Sequence, residues 1–119
     1  MASLLIVDDD LPLLHALSRY LSEKGFQVTS CSTFEGAKQQ IGASRPDIVV
    51  TDVRLGAFNG LQLALLARDV RPDARVIVFS GFDDPVLKED ARRAGASYMV
   101  KPVTGRALVE AVLEGRASG

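Results

Sequence analysis

The sequence predicts an α/β domain in which a doubly wound parallel sheet carries helices on both faces. Short apolar runs alternate five times with segments of helical periodicity, and that alternation is typical of strand–helix units around a parallel sheet. Runs such as Leu4–Val7 and Ile48–Val50 have no polar break, so we expect strands that are buried on both faces. Right-handed crossovers then place helices on both sides of the sheet.

Each predicted strand is a short apolar run that a helical segment follows. We place the strands near 3–7, 26–31, 47–52, 75–80 and 96–100. We place the helices near 11–24, 34–43, 60–70, 84–94 and 104–114. The helices are predicted from apolar residues that recur at spacings of three and four, as Leu14, Leu17 and Leu21 do.

Glycine and proline mark the ends of these elements. Gly25 and Gly95 each follow cationic residues, which is the pattern of a helix that ends on a left-handed glycine. Pro12 and Pro85 lie in predicted first turns, where the missing N–H of proline costs no hydrogen bond. These signals support the predicted boundaries.

Composition excludes several classes of function. The net charge of −1 gives no basic surface for nucleic acid or an anionic membrane. No apolar stretch reaches the roughly 20 residues that span a bilayer, and the N-terminus lacks a signal-peptide pattern, so we expect a cytoplasmic protein. The one cysteine, Cys31, excludes an internal disulfide and is expected in the core. We expect one domain over residues 1–119, with 115–119 as a flexible end or linker stub.

Carboxylates stand at the ends of two predicted strands. Asp8, Asp9 and Asp10 follow the first strand, and Asp52 ends the third. Ligands of open α/β sheets bind beyond the carboxyl ends of the strands, so we expect these acids to converge. Because like charges repel, the cluster needs a cation, and hard oxygen ligands with open water positions suit Mg²⁺. Asp10 also stands where a helix N-cap is expected, which is the role we favour for it.

The fourth and fifth strands end on residues that could complete such a site. The hydroxyl of Ser80 could donate to an anionic oxygen, although serines at strand ends also commonly bond local backbone. Lys101 could cancel charge or hold a phosphate, although taken alone it would be assigned to the surface. Together these residues indicate a magnesium site that places a phosphoryl group onto a carboxylate.

In this order the motifs resemble the receiver domain of bacterial two-component response regulators, the CheY-like domains. The resemblance covers the whole chain and rests on residues 5–10 (LIVDDD), 47–52 (DIVVTD), 60–61 (GL), 76–81 (VIVFSG) and 95–102 (GASYMVKP). One such motif is weak evidence, whereas five in register are highly specific. The resemblance implies a five-stranded parallel sheet in the order 2-1-3-4-5.

The resemblance also implies the roles of the acids. Asp52 would be the phosphoryl acceptor. Asp9 would bind Mg²⁺ directly, and Asp8 would assist, often through water. The backbone carbonyl of Arg54 would be the third protein ligand of the metal.

Further roles fall on residues around the acceptor. Lys101 would contact the phosphoryl group, Ser80 would be the switch hydroxyl, and Tyr98 would change rotamer with it. In this family the side chains at Arg54 and Phe82 overhang the acceptor. We expect the apolar ring of Phe82 to hinder water and to lengthen the phosphoryl lifetime.

The chain departs from the family pattern at two positions. Gly56 stands where proline is usual, so the loop over 53–60 is expected to be more mobile, since glycine admits more conformations. Val103 stands where phenylalanine is common. Neither residue belongs to the expected chemistry.

The expected function is a phosphorylation-activated signalling switch rather than an enzyme with an external substrate. A sensor histidine kinase or a phosphotransfer protein would donate to Asp52, with the domain catalysing its own phosphotransfer and autodephosphorylation. The phosphoryl group would shift an existing equilibrium of Ser80 and Tyr98 that controls an output domain or a partner. The resemblance places the readout on the fourth helix, fifth strand and fifth helix, through a homodimer or a C-terminal output domain. No direct binding to nucleic acid or membrane is expected.

Two other functions stay open at this point. Asp8 and Asp10 also match the Asp-x-Asp of haloacid dehalogenase-like phosphatases, with Asp8 as nucleophile, although the chain lacks room for a cap domain. A receiver-like binding module that is never phosphorylated is the second alternative, and the complete set of site residues argues against it. A flavin or nucleotide site fails because no Gly- or Ser-rich loop follows the first strand.

Overall fold

The five strands of one main sheet alternate with five helices in a computed structural model that describes residues 2–118, with side chains to residue 114. The strands are β1 (Ser3–Val7), β2 (Gln27–Cys31), β3 (Ile48–Asp52), β4 (Arg75–Ser80) and β5 (Ser97–Val100). The helices are α1 (Leu11–Glu23), α2 (Phe34–Ser44), α3 (Leu61–Val70), α4 (Pro85–Arg93) and α5 (Gly105–Ser118). The α5 helix continues to Ser118 instead of ending near 114, while the other boundaries agree with the predicted ones to within one residue. A flexible end or linker stub at 115–119 stays a prediction.

The sheet is parallel throughout and has the order β2-β1-β3-β4-β5, as the resemblance implied. The chain order reverses between β1 and β3, which is where ligands bind in open α/β sheets. These two strands pair in register up to Val7 opposite Thr51. The residues that follow, Asp8 and Asp52, are therefore adjacent at the carboxyl edge of the sheet.

The sheet separates two hydrophobic clusters. Helices α2, α3 and α4 cover one face, and α1 and α5 cover the other. The leucines whose spacing predicted α1 are buried, and β3 is buried along its whole length. Val103, one of the two departures from the family pattern, lies in the cluster under α1 and α5. Among residues 2–118, no helix is long and apolar enough to cross a bilayer.

The ends of the helices follow the predicted chemistry. Asp10 caps α1, because its Oδ1 accepts a hydrogen bond from the backbone N–H of Leu13 at 3.2 Å. Gly25 and Gly95 have φ values of 96° and 77°, in the left-handed region that glycine enters at little cost. Cys31 ends β2 and is half-buried against the cluster under α2, and burial raises the pKa of its thiol.

A short hairpin follows β3 where the sequence predicted a loop. Arg54–Leu55 and Phe58–Asn59 form an antiparallel pair, with Gly56 as the first of two turn residues. Gly56 has φ +62°, which a proline cannot adopt because its ring holds φ near −65°. Glycine at this place is typical of tight hairpin turns. The greater mobility expected from Gly56 stays a prediction.

The amino edge of the sheet is held by a closed polar network around Asp47. Its Oδ2 accepts hydrogen bonds from the backbone N–H and the hydroxyl of Ser3, at 2.8 and 3.2 Å. Its Oδ1 lies 2.5 Å from Nη2 of Arg71. Arg71 also donates to the carbonyl of Arg45, whose guanidinium donates to the carbonyl of Val70. This network joins β1, β3 and the C-terminal ends of α2 and α3.

Candidate functional site

The acids that the sequence placed at the carboxyl edge come together. Asp8, Asp9 and Asp52 each offer a carboxylate oxygen, and these oxygens lie within 4.8 Å of one another. Asp8 is completely buried, Asp52 is 8% exposed and Asp9 is exposed. The cluster therefore has a buried floor and one side open to solvent.

Lys101 reaches this cluster from the end of β5. Its Nζ donates to Oδ2 of Asp52 at 3.1 Å and lies 3.0 Å from Oδ2 of Asp8. The backbone N–H of Lys101 donates to the carbonyl of Ser80 at 2.7 Å, and the peptide bond to Pro102 is cis. Lys101 thus bridges the two buried acids and is not the surface residue that its type alone would indicate.

The site is electrostatically unbalanced. Burial raises the pKa of Asp52, and repulsion from Asp8 raises it further, while the hydrogen bond from Lys101 offsets these effects only in part. Burial by itself would lower the pKa of Lys101, but the carboxylates of Asp8 and Asp52 more than compensate, so its pKa is raised. The lysine therefore stays charged while the acids that share it keep excess negative charge.

Asp8 provides a direct test of whether the cluster fits a metal ion. Its Oδ1 accepts the backbone N–H of Asp10 at 2.9 Å. Within the described residues, no donor reaches the buried Oδ2 in hydrogen-bonding geometry, although Nζ of Lys101 is close. A buried carboxylate oxygen without a hydrogen bond is costly. Three convergent carboxylates, of which two share a single lysine, therefore fit a hard divalent cation such as Mg²⁺.

Ser80 and Tyr98 are joined through one residue, Phe82. The buried Oγ of Ser80 accepts the backbone N–H of Phe82 at 3.2 Å. The hydroxyl of half-buried Tyr98 donates to the carbonyl of Phe82 at 2.5 Å. Ser80 thus makes the local backbone contact that was the alternative reading of this residue. Ser80 and Tyr98, the two expected switch residues, therefore bind the backbone N–H and the backbone carbonyl of Phe82.

The side chains of Arg54 and Phe82 contact each other. The guanidinium carbon of Arg54 lies 5.6 Å from the centroid of the Phe82 ring, in the range of a cation–π contact. The ring is 61% exposed. The backbone N–H of Arg54 also makes a long hydrogen bond, 3.4 Å, to Oδ1 of Asp52. Sequence reasoning selected each residue separately, but it could not show that their side chains meet.

Gly60 is a site residue whose physical role was missed. A Cβ at this position would lie 2.0 Å from the backbone oxygen of Asp52 and 2.9 Å from Oγ1 of Thr51. The N–H of Gly60 donates to the carbonyl of Val53 at 2.6 Å. Only glycine lets the chain pass this close behind Asp52. The Gly60-Leu61 motif was found by resemblance, and nothing in the local sequence reveals the steric reason for it.

The chain is similar to known proteins over nearly its whole length. A sequence model of the response regulator receiver domain matches residues 4–113. This chain belongs to that family. The photosynthetic apparatus regulatory protein RegA of Rhodovulum sulfidophilum is 36% identical over 112 residues, which cover 93% of this chain and 61% of RegA.

Solved structures agree with the family assignment. A CheY-like receiver domain protein from Methanospirillum hungatei JF-1 has a TM-score of 0.90 at 28% identity, covering 97% of this chain and 93% of that one. A response regulator from Burkholderia pseudomallei, solved with a phosphorylated aspartic acid, a calcium ion and citrate, has a TM-score of 0.86 at 27% identity. That match covers 92% of this chain and 65% of the other.

The family match bears on the alternative of a phosphatase. A receiver domain is a signalling domain of two-component response regulators, and the comparison does not favour a haloacid dehalogenase-like phosphatase. The predicted fold class and strand order are confirmed. The chain spans 61% of the length of RegA, so the receiver domain corresponds to one part of that longer regulatory protein.

Proposed function

We propose that this receiver domain is switched by transfer of a phosphoryl group to Asp52 in the presence of Mg²⁺. The observation that carries the proposal is the environment of Asp52. Its carboxylate is nearly buried, hydrogen-bonded to Lys101, and within cation-binding distance of Asp8 and Asp9. A buried acid with a shared lysine and two neighbouring acids suits phosphoryl chemistry better than a structural role.

In the proposed reaction an oxygen of Asp52 attacks the phosphorus of a phosphohistidine on a sensor histidine kinase or a phosphotransfer protein. The new O–P bond forms as the N–P bond breaks, and the histidine imidazole leaves. Lys101 is already placed to take a phosphoryl oxygen, because its Nζ lies 3.1 Å from Oδ2 of Asp52. The same groups serve a second step, in which water attacks the phosphorus, the O–P bond to Asp52 breaks, and inorganic phosphate leaves, so the domain would catalyse its own dephosphorylation.

The residues that would hold Mg²⁺ are Asp8, Asp9, Asp52 and the backbone carbonyl of Arg54. A bound divalent cation supplies neutralisation of the carboxylates and of the phosphoryl oxygens. The sharing of one lysine by Oδ2 of Asp8 and Oδ2 of Asp52, and the excess negative charge around Asp52, support this assignment. The Burkholderia pseudomallei protein, solved with a phosphorylated aspartic acid and a calcium ion, offers a precedent in a related domain.

The proposed switch runs through Phe82. A phosphoryl group brings about −1.5 to −2 of charge, which attracts the hydroxyl of Ser80. When Ser80 donates to that group, the N–H of Phe82 loses its present acceptor. The carbonyl of Phe82 in turn holds Tyr98, so the rearrangement biases the Tyr98 rotamer. The phosphoryl group thereby shifts an existing two-state equilibrium.

The proposed output surface comprises α4, β5 and α5. Val86 on α4, Val100 on β5 and Leu113 on α5 are exposed by 67%, 39% and 52%, which leaves apolar side chains available for a partner. That partner would be a second copy of the domain or an output domain in a longer protein. The incomplete coverage of RegA supports the longer protein. We place this switch in the cytoplasm and propose no direct contact with nucleic acid or membrane.

The experiment that tests the proposed function is phosphorylation by acetyl phosphate with Mg²⁺, followed by intact mass measurement. The wild-type protein gains one phosphoryl mass, the Asp52→Asn variant gains none, and EDTA abolishes the gain. Asp8→Asn is expected to slow the reaction while peptide mapping still places the group on Asp52. A mass gain that survives Asp52→Asn contradicts the acceptor assignment, and a group mapped to Asp8 supports the phosphatase alternative.

A further inference from the structure

The aromatic rings of Phe34 and Phe58 stack on each other beside the acid cluster. Their centroids are 4.7 Å apart, and the ring planes are inclined by 12°. We propose that this ring pair positions the hairpin Arg54–Asn59 so that the backbone carbonyl of Arg54 is presented to the cation. The inference rests on the proposed function, and it assigns Phe34 and Phe58 as positioning residues for metal binding.

The hairpin is anchored through its first strand, whereas its return strand is exposed. Leu55, which directly precedes the turn, is 3% exposed, and at the base the N–H of Gly60 donates to the carbonyl of Val53. At the turn, Gly56 and Ala57 are exposed, and no described atom lies within 4 Å of where a Cβ of Gly56 would be. Phe58 and Asn59 are exposed as well, so the ring pair supplies a tertiary contact for the return strand.

The other side of the ring pair is fixed by α2. Phe34 is the first residue of that helix and packs against the cluster under α2, α3 and α4. The N-cap Thr33 accepts the N–H of Gly36 at 3.1 Å, which fixes the start of the helix. Phe34 is thus a half-buried platform, whereas Phe58 is 48% exposed and depends on its partner ring for position.

The register of the hairpin links the ring pair to the cation site. Phe58 lies opposite Leu55, and Asn59 lies opposite Arg54. A displacement of Phe58 therefore moves the paired strand that carries the Arg54 carbonyl. A cleft of about 280 Å³ between the hairpin and the start of α2 is lined by both rings and by Asp9. The ring pair thus borders the acid that is expected to bind Mg²⁺ directly.

The test is a double-mutant cycle on Mg²⁺ affinity, measured by calorimetry with the unphosphorylated protein. Phe34→Ala and Phe58→Ala are each expected to weaken Mg²⁺ binding about twofold to tenfold, the range expected for one aromatic pair. The Mg²⁺ affinity of the double variant should equal that of the single variant with the lower affinity, because either substitution removes the same contact. Phe58→Tyr keeps the stack and binds like wild type, and Leu65→Ala, an exposed apolar control on α3, does the same.

Several outcomes would overturn the inference. Unchanged affinity in both folded single variants contradicts it, and so do losses that multiply in the double variant, because the rings would then act separately. If an alanine variant fails to fold, Phe58→Leu provides the test, and loss of the stack must again weaken binding.

Amide exchange without metal separates this inference from the proposed function. Phe58→Ala is expected to speed exchange at Gly60 and Leu61, whose N–H groups close the base of the hairpin. Unchanged exchange there contradicts the inference even if Mg²⁺ binds normally. If wild-type protein does not bind Mg²⁺, the proposed cation site fails, while the exchange result still decides whether the rings hold the hairpin.

Discussion

The strand β3 has an aspartate at each end, and the two carboxylates are in opposite situations. Asp47, just before the strand, has both oxygens engaged by Ser3 and Arg71. Asp52, at the carboxyl end, shares Lys101 with Asp8 and has a raised pKa. The same residue type is therefore a structural tie at one edge of the sheet and the proposed phosphoryl acceptor at the other. The difference lies in the strength and sharing of the partners and not in burial alone, because Asp52 shares its lysine with Asp8 and its Oδ1 accepts only a long hydrogen bond, 3.4 Å, from the N–H of Arg54.

The largest expected effect comes from crowding the backbone behind Asp52. Gly60→Ala would place a Cβ 2.0 Å from the Asp52 carbonyl oxygen, so we expect about 2–4 kcal/mol of destabilisation in urea unfolding and a severe loss of phosphorylation. Gly42→Ala, on an exposed part of α2 where a Cβ would contact no described atom, is the matched control. A Gly60→Ala protein as stable as that control would show that the close approach is not required.

The next prediction concerns Asp47 at the amino edge of the sheet. Asp47→Ala removes the acceptor for two Ser3 groups and the partner of Arg71, so the free energy of unfolding should fall by about 1–3 kcal/mol without loss of phosphorylation by acetyl phosphate. Asp73→Ala also removes a carboxylate from Arg71, but its side chain is 82% exposed, so little change is expected. Equal losses in the two variants would contradict the assignment of Asp47 as a structural tie.

A smaller effect is expected on the access of water to phosphorylated Asp52 at the carboxyl edge of the sheet. Phe82→Glu removes the ring that pairs with Arg54 and adds a group that can orient water, so the phosphorylated protein should hydrolyse about twofold to fivefold faster. The decay of the phosphoryl mass with time measures this rate. Val86→Glu adds the same charge on the exposed surface of α4 and should leave the rate unchanged. An unchanged half-life in Phe82→Glu would contradict the proposed shielding.

Much of the fold was predictable because its signals are local. Continuous apolar runs predicted the buried strands, and the spacing of Leu14, Leu17 and Leu21 predicted α1. The acids of the site were predictable for the same reason, since Asp8 and Asp52 directly follow the apolar residues of their strands. Neighbouring strands of a parallel sheet end at the same edge, so no other sequence signal is needed to predict that these acids come together.

The features that were not predicted depend on residues that are distant in sequence. The Arg54–Phe82 pair and the Phe34–Phe58 stack arise only when separate segments fold against each other. The hairpin was missed because its strands have two residues each, too short to show an alternating pattern. The role of Gly60 depends on an atom of Asp52 that the chain approaches after a turn.

The most direct test of the contrast between the two edges is urea unfolding of wild type and Asp52→Asn, with and without Mg²⁺. Because the folded state raises the pKa of Asp52 above its ordinary value of 3.8, the ionised form costs stability at neutral pH. Without Mg²⁺, Asp52→Asn should therefore be more stable than wild type at pH 7, and the advantage should shrink as the pH falls through the raised pKa of folded-state Asp52 and be lost below about 3.8. Mg²⁺ should stabilise wild type more than the variant. A variant that is less stable than wild type without Mg²⁺, as expected for Asp47→Ala, would contradict the account.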